Sequence, residues 1–244
     1  MTGILTLEVE ELIRRSYQGK TNPWYCRLDD GDNYYIKGQE ALHQGLIKEL
    51  LCAELGRNLG LPIPSSTIAY LDPCLLEHYD EAKTDFGGGD CYVFASKEVP
   101  NLVELKYSDL ASINPQLAKL IFLFDYLIKN EDRTLTRQSG NPNLFINPIS
   151  NNLVVFDHNM AFDTDYNFEK YKNIHAFSSF WYSTQLDLHF KNEMMDKLPV
   201  AITSLAQYAE HIPKEWLENY PDLLTEIFTT LNLYKQHQFW EALQ

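Results

Sequence analysis

Long hydrophobic runs are missing from this chain. Its most apolar window, Leu117–Ile128 (LAKLIFLFDYLI), is too short to span a bilayer and contains Lys119 and Asp125. The first fifteen residues, MTGILTLEVEELIRR, carry acids where an export leader would need bases followed by an apolar core. Stable membrane insertion is therefore not expected. Cysteine is scarce: Cys26, Cys52, Cys74 and Cys91 show no CxxC or other ligand spacing, which removes a disulfide scaffold and a zinc ribbon. Cys52 falls inside an apolar helical pattern, where a buried thiol is expected. Together these features point to a reducing, cytoplasmic setting. Positive charge is also short, with 20 bases against 34 acids and a net charge of −14. No run of Lys and Arg interrupts that field, so a nucleic-acid partner is excluded, and solubility is the simplest use of the acidity.

Several catalytic signatures are absent as well. Seven histidines form no HExxH or zinc-ligand spacing, and no serine sits in a GxSxG elbow. There is no GxGxxG. Gly19-Lys20-Thr21 resembles the end of a phosphate-binding P-loop, but that motif needs glycine at position 14, where Arg14 stands. The segment before it reads as helix rather than strand. A Walker site is rejected.

What is present is ample apolar material: 45% hydrophobic and 13% aromatic residues over 244 positions, enough to bury a core in one large domain or two packed units. No repeat or low-complexity tract interrupts it. The run PWYCRLDDGDNYYIKG predicts two strands joined at Asp29–Asp32, with Lys37 closing the second. Ile47, Leu50, Leu51, Leu55 and Leu59 recur at helical spacing and stop at Gly60, ahead of Pro62 and Pro64. SSTIAYL and CYVFASKEV read as further strands. From about Ser108 the pattern turns helical, led by the stripe Leu117, Leu120, Ile121, Phe124 and Leu127. Two short strands, NLFIN and NLVVFD, follow, and after Tyr166 the chain is again helical with a break near Pro213. The aromatic group FSSFWYS at 177–183 reads as packing rather than a base-stacking platform. These elements make an α+β fold: a small β-rich N-terminal lobe with one main helix over 1–100, then a larger, mainly helical lobe over 101–244.

The polar residues gather in one stretch. Asp132 follows the central helix, NLFIN begins at Asn143, and LVVFD ends at Asp157. Pairing those strands as a hairpin brings Asn143 and Asp157 together beside the loop carrying Asp132. Metal-assisted phosphoryl transfer needs such a set: one carboxylate for the nucleophilic hydroxyl, and hard oxygen ligands for magnesium. Helix caps and turns use the same residue types, so both readings stay open on residue type alone. Lys37, at a strand end and followed by a helix bearing Glu49, has the arrangement of a phosphate-gripping ammonium with its partner, or else of a surface lysine on an edge strand. His158, next to Asp157, could serve the site from behind or pack beneath its loop.

Read together, YYIKG, KELLCAELGRNLGLPIP, NEDRT…NPNLF, VVFDHNMAF and IPKEWL (212–217) resemble the HipA-like kinase family, in particular its compact bacterial branch lacking an extra N-terminal domain. The catalytic loop is also similar to that of type II phosphatidylinositol 4-kinases. The resemblance implies a two-lobed protein-kinase-like fold that uses ATP and Mg2+ and phosphorylates a Ser or Thr hydroxyl on a protein. It implies Asp132 as catalytic base with Arg133 beside it near the transferring phosphate, and Asn143 and Asp157 as magnesium ligands. Lys37 would contact the α- and β-phosphates with Glu49 as its partner, Phe94, Ala95 and Ser96 would offer backbone groups to adenine, and Gly19 would belong to a phosphate cover. One departure stands out. Asp132 and Asn143 are eleven positions apart, longer than such loops usually run, so TLTRQSG (134–140) looks inserted and Asn141 competes with Asn143 for the metal. Asn143 is favoured because it directly precedes the apolar strand. The alternatives are a catalytically silent nucleotide- or partner-binding module, and a kinase for a lipid or small-molecule hydroxyl.

Overall fold

Leu7, Val9 and Leu12 are buried while the residues between them face outward, and Leu7–Arg15 is a strand, β1, not a helix. The helical reading of this segment is corrected. Register shifts between Val9 and Glu11 and between Leu12 and Arg14 break the two-residue period that would have marked it as β. The computed structural model describes residues 6–16, 22–38, 42–87, 91–183 and 187–244. β1 pairs with β2 (Trp24–Leu28), which turns through Gly31 at φ 82° into β3 (Asn33–Lys37). Helix α1 (Leu42–Asn58) follows, then β4 (Ser66–Leu71), the short helices α2 (Pro73–Leu76) and α3 (Asp80–Phe86), and β5 (Cys91–Lys97). Two short helices thus join the one main helix expected in this part. The five strands close into a barrel in the order β1-β2-β3-β5-β4, with β1 and β4 parallel at the seam.

The barrel sorts its residues by strand alternation. Tyr34, Ile36 and Ala95 point inward, into a cluster with Leu12, Cys26 and Leu28. Tyr35 and Lys37 of β3 take the other face, and the register pairs them with Ser96 and Phe94 of β5. Gly38 is required just after Lys37, because a Cβ there would lie 2.8 Å from the backbone oxygen of Asp85. α1 lies between two environments. Its apolar residues Leu46, Ile47, Leu50, Leu51 and Leu55 belong to the core of the helical part, not to the barrel interior.

That larger core is built on α4 (Pro115–Leu127), started by Asn114 accepting from the amides of Gln116 and Leu117. Before it lies β6 (Val103–Glu104); after it come β7 (Thr134–Leu135), β8 (Gly140–Asn141), β9 (Leu144–Ile146) and β10 (Leu153–Val155). β9 pairs with β10 and β6, and β7 pairs only with β8 within its sheet, so the inserted segment is itself a hairpin. α5 (Phe168–Ile174), α6 (Ser178–Tyr182), α7 (Leu188–Ala209), α8 (Lys214–Leu217), α9 (Leu223–Leu231) and α10 (His237–Glu241) complete the chain. Phe177 is fully buried and Trp181 stacks on Phe122 at 5.0 Å, so these two aromatics of 177–183 are core, while Phe180 packs against it partly buried and Tyr182 is exposed. Cys26 and Cys52 are buried free thiols. No helix among the described residues is long and apolar enough to cross a membrane.

Candidate active site

The outer face of β3 and β5 walls a cavity of about 340 Å³, closed on its other side by Asn143, Phe145, Val155 and Asp157. Lys37 enters from β3. Its ammonium is paired with Glu49 of α1 and lies 3.2 Å from Asp157 Oδ1. Burial alone would depress this ammonium, but the two carboxylates outweigh it and push Lys37 up to about 12. Glu49 is held well below the usual carboxylate range: burial opposes its charge, and Lys37 overrides that. Its second oxygen accepts from the backbone N–H of His158 at 3.1 Å. The His158 ring packs edge-on to Phe124 at 5.7 Å with its Nδ1 3.7 Å from Glu49 Oε2, so both its backbone and its ring stand behind Glu49. Asp157 is pushed upward by burial and by the neighbouring Glu49, against the pull of Lys37.

β9 and β10 bring Asn143 and Asp157 together as their pairing predicts. The Phe156 amide donates to the Asn143 carbonyl at 3.0 Å. Both residues have left-handed backbone, φ 48° at Asn143 and φ 58° at Asp157, a conformation Asn and Asp tolerate better than most. Asp132 lies behind the cavity wall and is linked to it through Asn143. Its Oδ2 accepts the side-chain amide of Asn143 at 3.1 Å and that of Asn141 at 2.8 Å. Asn143 therefore keeps its amide oxygen for another partner.

Arg133 does not reach the cavity. It is fully buried, and its Nε and Nη2 bind Asp125 at 2.6 and 3.3 Å. Its Nη1 donates to the carbonyls of Pro142, Asn143 and Phe156 at 3.2, 2.9 and 3.2 Å. The expected place near a transferring phosphate is corrected: every direction of the guanidinium is committed to the loop's own frame. Asp125 also accepts from Asn130 at 2.9 Å and from His175 Nε2 at 3.0 Å, while His175 Nδ1 accepts the Phe177 amide. That second bond requires the proton on Nε2. Asn130 Oδ1 takes the backbone N–H of Asp132 at 3.2 Å. Asn130 and His175 carry no signal in the sequence that would mark them as part of this frame. Asp125 was visible as a lone carboxylate in the most apolar window, and a buried charge needs partners.

The backbone of Phe94, Ala95 and Ser96 is likewise committed. β5 is paired on one edge with β3 and on the other with β4, so its groups are spent on the ladders. Phe94 and Ser96 line the cavity with their side chains, whereas Ala95 packs into the barrel. The segment after β5, from Glu98 to Leu102, lines the cavity without being part of that sheet. Gly19 and the rest of 17–21 lie outside the described residues; Ser16 and Pro23, on either side, line the cavity.

A family model described as HipA-like kinase matches residues 9–243. The chain belongs to the HipA-like kinase family. Among solved structures it is similar to the proinflammatory kinase CtkA of Helicobacter pylori, with a TM-score of 0.60 and 11% identity, over 98% of this chain and 97% of that one. It is also similar to a Golgi casein kinase with Mn and ADP bound, with a TM-score of 0.58 and 12% identity, over all of this chain and 73% of the other. At such identities the likeness shows the fold: this HipA-like kinase has the mixed helix-and-strand architecture of kinases. No curated protein matches the chain.

Proposed function

We propose that this chain is an ATP- and Mg2+-dependent phosphotransferase acting on a Ser or Thr hydroxyl of a protein. The observation that carries the reading is a carboxylate, Asp132, held by the amides of Asn141 and Asn143, with Asn143 and Asp157 facing the Lys37–Glu49 ion pair across one cavity. Asp132 accepts the proton of the acceptor hydroxyl as its oxygen attacks the γ-phosphorus; the bond to the β–γ bridging oxygen breaks and ADP leaves. Lys37 binds the α- and β-phosphates, and Glu49 keeps its ammonium aimed into the cavity. The donor set fits a hard cation: Asn143 spends its amide nitrogen on Asp132, leaving a carbonyl oxygen, and Asp157 offers a carboxylate. Magnesium bound there supplies charge neutralisation on the phosphates. Because both edges of β5 are paired, Val99–Leu102 would offer contacts to the adenine edge, and the side chains of Phe94 and Ser96, which line the cavity, would be available to the base.

In this reading residues 1–100 form the nucleotide-binding lobe and 101–244 the catalytic lobe of a two-lobed protein working in the cytoplasm. Incubation with γ-labelled ATP and Mg2+ is expected to transfer label to protein acceptors. Nucleotide binding without transfer to protein, lipid or small-molecule hydroxyls would instead mark a silent binding module. Asp157→Ala is expected to weaken Mg2+-dependent ATP binding by about tenfold or more, following the cost of losing a charged ligand. Titration calorimetry with and without Mg2+ checks this, and unchanged affinity would remove Asp157 from the metal site.

A further inference from the structure

We propose that Asn141, delivered by the β7–β8 hairpin, is a positioning residue that orients the Asp132 carboxylate and is not a metal ligand. The inference rests on the reading of Asp132 as the proton acceptor. An ionised carboxylate only accepts, so the amide nitrogen of Asn141 must face it, at 2.8 Å. Asn143 faces the same oxygen at 3.1 Å. Two amides on Oδ2 fix the carboxylate plane, and among the described residues Oδ1 accepts no hydrogen bond, which leaves it for the incoming hydroxyl. Asn143 lines the cavity, whereas Asn141 stands behind it with Asp132.

The hairpin is built to make this delivery. Thr134 pairs with Asn141 and Leu135 with Gly140, the Asn141 N–H donates to Thr134 Oγ1 at 3.1 Å, and the turn is closed by Thr136 and Ser139 at 2.9 Å. Its base is anchored on the buried frame, through a bridge from Thr134 to His175 and the Ala176 amide on the Arg133 carbonyl at 3.1 Å. Gly140 leaves no room for any other residue: a Cβ there would sit 2.3 Å from the Thr134 carbonyl oxygen. The inserted residues 134–140 therefore turn the chain so that Asn141, which follows them, presents a second amide to Asp132.

The test uses the full chain, γ-labelled ATP, Mg2+ and dephosphorylated casein, with ATP hydrolysis as a second readout in which water is the acceptor. Asn141→Ala is expected to lower kcat by about 10- to 100-fold while KM for ATP and the half-activating Mg2+ concentration stay within about twofold, as for a group acting only through proton transfer. Asn141→Asp separates the roles even if the alanine variant folds poorly. A carboxylate facing Asp132 repels it, so turnover falls at least as far as in Asn141→Ala, whereas a metal ligand would tolerate the change. Gly140→Ala is expected to reproduce the kcat loss with Asn141 intact, in a protein whose melting curve remains cooperative. Wild-type turnover in Asn141→Asp, a raised Mg2+ requirement in Asn141→Ala, or wild-type turnover in Gly140→Ala would each overturn the proposal. If Asp132→Asn is inactive but Asn141→Ala turns over like wild type, the positioning role alone fails. If wild type is inactive in both readouts, or Asp132→Asn matches it, the reading of Asp132 fails and takes this inference with it.

Discussion

Asp132→Asn is expected to abolish phosphoryl transfer while leaving ATP binding intact. The substitution keeps the shape of the side chain but removes the group that takes the hydroxyl proton, a contribution of about 10²–10⁴-fold in rate. Its amide oxygen can still accept from Asn141 at 2.8 Å and Asn143 at 3.1 Å, which puts its nitrogen, a donor, where Oδ1 was open to the hydroxyl. Both effects act on kcat. Lys37, Glu49 and the β5 wall, which hold the nucleotide in the proposed reading, are untouched. Measured label transfer and nucleotide affinity together decide it: a variant that transfers at more than about a tenth of the wild-type rate is incompatible with a base contributing at the low end of that range.

Arg133→Met is expected to cost about 3–5 kcal/mol, because it strands Asp125 as an uncompensated buried charge. Both side chains are fully buried, and the carboxylate keeps only Asn130 and His175 as partners. For a domain whose whole stability is about 5–15 kcal/mol, this is a large share. Urea unfolding checks it, and a loss below about 1 kcal/mol would show that the ion pair contributes little. Pairing the change with Asp125→Leu should recover much of the stability, since a buried ion pair replaced whole by apolar groups is often neutral. Activity should not return. The carbonyls of Pro142, Asn143 and Phe156 would still lack the guanidinium that ties the two strand ends together.

The same cluster sets a pH dependence. Burial alone would raise Asp125, but Arg133 and His175 hold it well below its ordinary 3.8. His175 is lowered from 6.5, chiefly by burial and against the pull of Asp125. Both groups bind fewer protons folded than unfolded over the interval between their two values, so the unfolded state gains as protons are added. Their stabilisation is complete above about pH 6.5, falls first as His175 is forced to charge, and falls further as the pH drops below the carboxylate range. Unfolding free energies measured from pH 8 down to 2 are expected to decline, with the His175 part above and the Asp125 part below about pH 4. In the Arg133→Met/Asp125→Leu variant the part below about pH 4 that belongs to Asp125 should vanish.

How much of this was legible before the fold was known depended on whether each signal was local. The hairpin at Asp29–Asp32, the stop of α1 at Gly60 and the β9–β10 pairing were all readable from turn chemistry and alternation. Asn143 and Asp157 therefore fell together as expected, and Lys37 met Glu49 because a strand end and the following helix are neighbours in sequence. The bulges of β1 erase its two-residue period, so its local pattern resembles a helix. The position of Arg133 next to Asp132 in sequence says nothing of its direction. Three carbonyls and a buried Asp125 claim it, and they come from positions as far away as Phe156. Phe94–Ser96 lost its expected backbone role for a similar reason: only the sheet order reveals that β5 is flanked on both edges.

By itself the sequence determined the β2–β3 hairpin, α1, α4 and the β9–β10 pair, the apolar stripes, the family resemblance and the residue types able to do phosphoryl chemistry, since periodicity and turn preferences act over a few residues. The direction of each polar side chain was decided by tertiary structure, because hydrogen-bond partners are chosen among groups far apart in the chain. Asn141 shows the difference most clearly. Its spacing made it a rival to Asn143 for a metal, while the closure of β7 on β8 turns its amide onto Asp132 instead.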